Sequence, residues 1–446
     1  MQPKLRTGPF REWTRSARRK PEPRPGRLFT TLVTGVAILL TARRPAAAQH
    51  PVSDTLRLPA ALEAARSANP MLQAARLRGD AAAERVAPAG ALPDPQLTLG
   101  LMNRPLDGFG TAEPMTMNQV QLSQMIPWPG TLSRRRDEQR HLALAASLDS
   151  RDLDAQVAAR VAVSYYRVAY LDRALVRMAA TRGLLRDFLQ TAQTRYTVGT
   201  GLQQDVLQAQ VAVARMTADI ATTEAERLAV AARLNALLGR GAQAAVPALD
   251  LPETTLPLPA PDSLMTLAVA RRPALEAARA RIDAADAAYR AARRASWPDL
   301  MIAAAYGQRP QYTDMATLML GISLPLRTGA RQTPERNEML ALRSMREAEA
   351  RDLSNEIFAQ ITELRAEAER ARTLVDLYRT DILPQAQAAV ESALASYRVG
   401  QVDYMTLLDS EMTLNRYAVE RYRLLAEYHG AVARVEAVVG GRLEEM

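Results

Sequence analysis

"RYTVGTGLQQDVLQAQ" occupies residues 195–210, and "SYRVGQVDYMTLLDSE" occupies residues 396–411. Each has a Tyr, a gap of one, Val-Gly, and then an apolar run carrying an Asp. Tyr196, Val198 and Gly199 in the first match Tyr397, Val399 and Gly400 in the second, and the runs that follow carry Asp205 and Asp409. Each stretch ends a very long helical pattern. One chain therefore makes the same reversal twice, and other landmarks repeat with it.

Pro70 corresponds to Pro273, and "QVQLSQMIPWPG" (119–130) corresponds to "LMLGISLPLRTG" (318–329). Recurrence of several landmarks in one order at one spacing marks an internal duplication. The copies are 49–245 and 262–446, joined by a Pro-rich linker at 246–261. Each copy reads as an Ala-rich helix (58–88; 262–295), a strand pair and a long helical hairpin (131–239; 331–440). The strand pairs fall within 96–126 and 299–324.

In the strands, Leu97, Leu99 and Leu101 alternate with Gln96, Thr98 and Gly100, and Leu318, Leu320, Ile322 and Leu324 alternate with smaller residues. Period two gives one apolar face. A soluble sheet on a core and a membrane sheet both fit that pattern. Trp128 ends one strand pair and Trp297 begins the other, which puts both at one level, as at a membrane interface. Gln119 and Gln121 fall on the opposite face. Met115, Met117 and Met125 read as packing residues rather than metal ligands.

The long helices follow a different period. Val157, Val161, Ser164, Val168, Leu171, Leu175, Met178 and Leu185 alternate by four and three, with Arg182 off-type, and Ile357, Ile361, Leu364, Ala368, Ala371 and Val375 do the same. A mean repeat of 3.5 predicts coiled-coil packing. Pro384 is expected to kink the second long helix. A helix over 131–197 is roughly 100 Å long, which the segments 202–239 and 262–295 together would match. The chain offers four strands. A closed membrane barrel needs at least about eight, so several chains must contribute, and three supply about twelve.

Composition narrows the function. Cysteine is absent, and the three histidines, His50, His141 and His429, are far apart in the chain. Neither a thiolate site nor a His cluster is available, no nucleophile–base set or phosphate loop is present, and no metal or cofactor is expected. Residues 1–48 hold eleven Lys/Arg against two Asp/Glu, which accounts for the whole net charge of +9. The remainder is balanced, so nucleic acid is not an expected partner. The same 48 residues read as an export signal: a basic start, the apolar run "LFTTLVTGVAILLTA" (28–42), and Ala46 and Ala48 in an A-x-A arrangement.

The duplicated order and the "YTVGT…DVLQAQ" and "YRVGQ…LLDSE" turns resemble the TolC family of outer-membrane efflux proteins, over essentially all of 55–440. "SQMIPWPGTLSRRR" (123–136) resembles the strand-to-helix junction of the family's CusC/CzcC-like heavy-metal branch. The resemblance implies a mainly α fold with a small membrane β part. The duplicated helix–β-hairpin–helix repeat would form a homotrimeric α-barrel capped by a β-barrel of about twelve strands. It implies no enzymatic activity, a place in the outer membrane of a Gram-negative bacterium, and partnership with a periplasmic membrane-fusion adaptor and an RND-type inner-membrane pump. The two turns become periplasmic tips. Val198, Thr200, Val399 and Gln401 would dock the adaptor; Tyr196, Gly199, Asp205, Tyr397, Gly400 and Asp409 would form the gate. Thr406 stands where the family has a second acid. The bland readings also stand here: Asp205 and Asp409 as first-turn charges of a helix, Tyr196 and Tyr397 as packing. A soluble adaptor or coiled-coil scaffold is the alternative function, disfavoured by two hairpins and two strand pairs in one chain.

Overall fold

A computed structural model describes residues 55–106, 110–111, 113–399 and 401–443. The export signal read at 1–48, and Gly400, lie outside the described residues. The first copy runs β1 (Thr55–Leu56), α1 (Leu58–Ala68), α2 (Pro70–Glu84), α3 (Val86–Ala89), β2 (Gln96–Met102), β3 (Met117–Ile126), α4 (Thr131–Thr197) and α5 (Gln203–Leu237). Strand β4 (Ala248–Leu249) lies in the linker. The second copy runs α6 (Pro261–Arg271), α7 (Pro273–Arg294), β5 (Asp299–Gln308), β6 (Met315–Ser323), α8 (Gln332–Leu377), a π turn (Tyr378–Ile382), α9 (Leu383–Arg398) and α10 (Tyr404–Val439).

Helix α4 has 67 residues, about 100 Å of rod. Glycines bracket it. Gly130 precedes it at φ +85°, and Gly199 follows it at φ +75°. At its far end the Gly199 amide donates to Tyr196 O (3.0 Å) and the Thr200 amide to Arg195 O (2.9 Å). This is the pair of closing bonds of a left-handed helix stop, which a residue without a Cβ adopts most cheaply. The coiled-coil seam is buried as the spacing predicts: Val157, Val161, Val168, Leu171 and Leu185 in α4, and Ile357, Ile361, Ala368, Ala371 and Val375 in α8. At the off-type position the seam takes Thr181, fully buried, rather than Arg182.

The Ala-rich helices are not continuous. Asn69 (φ −73°, ψ 118°) and Arg272 (φ −72°, ψ 118°) are extended, because a residue before proline is sterically pushed out of the helical region. Both breaks are used. Asn69 Nδ2 donates to Leu237 O (2.8 Å) at the end of α5. Arg272 Nη1 donates to Val438 O (3.0 Å) at the end of α10. Gly239 and Gly440, at φ +66° and +86°, let each helix end sit against the backbone of Ala68 and Arg271, where a Cβ would lie within 3 Å of a carbonyl. The end-to-end partner of α5 is therefore α2, and that of α10 is α7. Stacking of 202–239 upon 262–295, expected from length alone, is corrected: length does not choose between two equal partners, and the carbonyl capping does. Side by side with α4 lie α2 and α7 at one end, α5 and α10 at the other.

Pro384 acts before it is reached. The ladder widens to a π turn at Tyr378–Ile382, and α9 resumes with Pro384 as its second residue. A wider turn relieves the clash of the pyrrolidine ring with the preceding turn's carbonyl. The linker lies along the middle of the rod. β1 and β4 pair in parallel. Tyr165 Oη donates to Leu56 O (2.8 Å) and accepts from the Asp250 amide (3.1 Å). Tyr428 Oη accepts from the Leu256 amide (2.9 Å).

The two strand pairs form one antiparallel sheet of order β2-β3-β5-β6. The copies join through β3 and β5, with Val120 opposite Tyr306 and Ile126 opposite Leu300. Register places Leu97, Leu99, Leu101, Val120, Leu122, Leu300, Ile302, Leu318, Leu320 and Ile322 on one face. All ten are exposed, Leu320 at 77%. The other face carries Thr98, Gln119, Gln121, Ser123 and Thr317. Among the described residues nothing pairs with the outer edges of β2 and β6.

Candidate functional site

The two turns meet at one end of the rod, opposite the sheet. Side chains of α4, α5, α9 and α10 share one apolar cluster there: Leu185, Ala192, Ala209, Ala393, Tyr397, Tyr404 and Leu407. Across it, the Arg195 guanidinium lies 4.7 Å from the Tyr397 ring centre, joining the first turn to the second. Tyr397 and Tyr404 meet edge to face at 5.8 Å and 65°. Tyr404 is 1% exposed and its hydroxyl has no hydrogen-bond partner among the described residues. Burial, then the charges of Tyr397 and Asp205, push its pKa up.

The turns close alike. The Gln401 amide donates to Ser396 O (2.9 Å), as the Thr200 amide does to Arg195 O. Val198 and Val399, expected to dock a partner, are exposed, at 66% and 69%, and Thr200 and Gln401 are exposed beside them. Tyr196 is exposed too, whereas its counterpart Tyr397 is buried. The repeat therefore assigns one Tyr to the surface and one to the cluster.

The acids also divide. Asp205 sits in the first turn of α5, half-buried and near Tyr404. Asp409 lies in the second turn of α10, so the first-turn reading does not apply to it. The cap is Asp403, which sequence reasoning passed over: its carboxylate accepts from the Thr406 amide (2.9 Å) and hydroxyl (2.6 Å). Those bonds hold its pKa below the usual range. The Asp-x-x-Thr spacing in "VDYMT" was the available signal. Asp409 faces an open groove of about 1060 Å³ between α5 and α10, beside Leu207, Gln208, Arg215 and Arg416. Asp205 does not line it.

A buried acid was also missed. Glu411 is 3% exposed between α4 and α10, 3.3 Å from Arg177 Nη2 and 3.3 Å from the Thr181 hydroxyl. Desolvation raises its pKa, against the opposing pull of Arg177 and of the Thr181 bond. A heptad reading assigns such a position to an apolar residue, which hides the pair.

At the other end, the Trp128 and Trp297 rings stack at 4.9 Å with 16° between planes. The Trp128 amide donates to the Asp299 carboxylate (2.9 Å), locking the β3 exit to the β5 start. Among the described residues no helix is long and apolar enough to cross a membrane, and no group of three or more His, Asp or Glu is placed to hold a metal ion.

A family model described as outer membrane efflux protein matches residues 61–240 and 264–441, one span in each copy. The cobalt-zinc-cadmium resistance protein CzcC of Cupriavidus metallidurans is 22% identical over 387 residues, 86% of this chain and 90% of that protein. Among solved structures, CusC superposes with a TM-score of 0.75 at 17% identity, over 86% of this chain and 92% of that one. VceC from Vibrio cholerae superposes with a TM-score of 0.73 at 19% identity, over 86% and 96%.

Proposed function

The chain belongs to the outer membrane efflux protein family, and from that premise we propose that it is the passive trimeric conduit of a tripartite efflux system. One observation carries the trimer: a four-stranded sheet with an outward leucine face and two unpaired edges. In lipid an open edge leaves backbone groups unsatisfied, so the sheet must close on copies of itself, and three copies make a barrel of about twelve strands. Edge β2 of one chain then meets edge β6 of the next, a head-to-tail contact that closes as a ring. The rods continue the barrel as a helical tube, with the linker as its girdle.

The tips face away from the membrane. Exposed Val198 and Val399 beside Thr200 and Gln401 suit docking to a periplasmic adaptor, through which an inner-membrane pump supplies energy. Gating is a shift of rigid hairpins against the Arg195–Tyr397–Tyr404 cluster, with Asp205 and Asp409 as charges near the entrance. The likeness to a cobalt-zinc-cadmium resistance protein supports placing metal ions among the cargo, along with small toxic compounds. A soluble adaptor is not favoured, because the efflux family model matches both halves of the chain.

The test is purification of the exported protein followed by mass measurement and planar-bilayer recording. A detergent-dependent trimer that forms pores is expected. A monomer that stays in solution without detergent overturns the proposal. Deletion of the gene, followed by a screen of metals, dyes and antibiotics, then identifies the cargo.

A further inference from the structure

We propose that the Trp128–Trp297 stack and the arginines around it bind the phosphate headgroup of an anionic phospholipid in the leaflet nearer the helical rod, an inference that rests on the membrane reading of the sheet. The two rings and Arg134, Arg290, Arg293 and Arg294 line a cavity of about 490 Å³ where β3 leaves the sheet and β5 enters it. A second cavity, lined by Met125, Pro127, Asp299 and Ser323, opens on the polar face of the same junction. The arginine cavity shares Arg294 and Trp297 with it. At the same end of the sheet Ile126, Leu300 and Ile322 are paired across three strands on the leucine face, a surface along which acyl chains can lie.

The positive charge there is not cancelled. Arg290 pairs with Asp286 (2.7 Å), but Asp286 also serves Arg343 (3.1 Å). Arg134 pairs with Asp137 (3.5 Å), but Asp137 also serves Arg140 (3.5 Å). Arg293 has no carboxylate within 4 Å among the described residues. Arg294 is fixed by its bond to Pro129 O (2.6 Å). Four guanidinium forks thus converge with a surplus of unpaired donors, at the level where indole rings prefer the lipid boundary. A phosphate answers both the charge and the fork geometry. Basic pockets at such a boundary favour anionic over zwitterionic headgroups.

The test is native mass spectrometry of the purified full-length protein, released from micelles holding equal phosphatidylglycerol and phosphatidylcholine. Wild type is expected to retain phosphatidylglycerol in preference. The double variant Arg290→Gln, Arg293→Gln is expected to lose about thirtyfold of that preference, at roughly 1 kcal/mol for each arginine, with trimer mass and pore conductance unchanged. A control on α8, Arg346→Gln with Arg351→Gln, is expected to keep it. Inorganic phosphate at the same concentration is expected not to displace the lipid. A pore-forming trimer with no preference, or a double variant that keeps it, overturns the site alone. Displacement by inorganic phosphate overturns the lipid assignment in favour of a free anion. A wild-type protein that forms neither trimer nor pore overturns the membrane reading and this site with it.

Discussion

Replace Arg195 by glutamine and Tyr397 by leucine, singly and together. The guanidinium lies 4.7 Å from the Tyr397 ring centre and is half-buried, a geometry in which a cation–π contact contributes about 1 kcal/mol. The edge-to-face pair of Tyr397 with Tyr404, at 5.8 Å, contributes roughly 0.5–1.5 kcal/mol beyond its buried area. Arg195→Gln removes the first contact alone. Tyr397→Leu keeps most of the apolar volume and removes both, about 1.5–2.5 kcal/mol. If these contacts hold the hairpins together, the open-to-packed ratio rises about fivefold in the first variant and about tenfold to sixtyfold in the second. The double variant should equal Tyr397→Leu, because the cation has already lost its ring; the coupling is then about 1 kcal/mol. Single-channel recording in planar bilayers reads the ratio directly. Open probabilities equal to wild type in all three variants would remove the cluster from the gate. A double variant equal to the sum of the singles would show that ring and guanidinium act independently.

Glu411 makes stability depend on pH. Its folded pKa is raised by burial, so the folded state holds the proton more tightly than the unfolded chain. Stability from this group is greatest below the ordinary carboxylate value and is lost as pH rises through the folded value. Glu411→Gln should flatten that slope in thermal melts taken between about pH 4 and pH 8; an unchanged slope assigns it elsewhere. Arg272 and Asp152 form an ion pair at 3.3 Å, about nine-tenths buried on both sides. Arg272→Met leaves Asp152 and Val438 O without it and should cost roughly 3–5 kcal/mol, much of it recovered by adding Asp152→Leu; equal melting of single and double variants would refute this. Leu320→Lys places a charge on the exposed leucine face and, if that face meets lipid as proposed, should cost about 2–4 kcal/mol near the bilayer midplane, read as loss of protein from the outer-membrane fraction. Unaltered insertion would place that face elsewhere.

What could be read from the chain follows the range of the interaction. The span of α4 was legible to the residue, since Gly130 and Gly199 both stop a helix locally. Trp128 and Trp297 were placed at one level because one ends a strand pair and the other begins one, and the rings stack. The tips were legible because each turn closes through backbone bonds five residues apart. The partner of α5 was not legible: α2 and α7 are alike in sequence, and only the bonds of Asn69 and Arg272 to distant carbonyls distinguish them. The pairing of β3 with β5 likewise joins residues about 180 positions apart. Glu411 stayed hidden for the opposite reason. It lies on a helix whose pattern was clear, but its partners Arg177 and Thr181 come from another helix.

Closure between copies is the central claim, and the absence of native cysteine makes it directly measurable. Single cysteines placed along β2 and along β6, combined in pairs and treated with a short thiol crosslinker in intact outer membranes, report which edges touch. Head-to-tail closure predicts covalent dimers and trimers, with the trimer as the largest product and no crosslink between two β2 edges. A ladder running past three chains, crosslinks joining like edges, or monomer alone would contradict it.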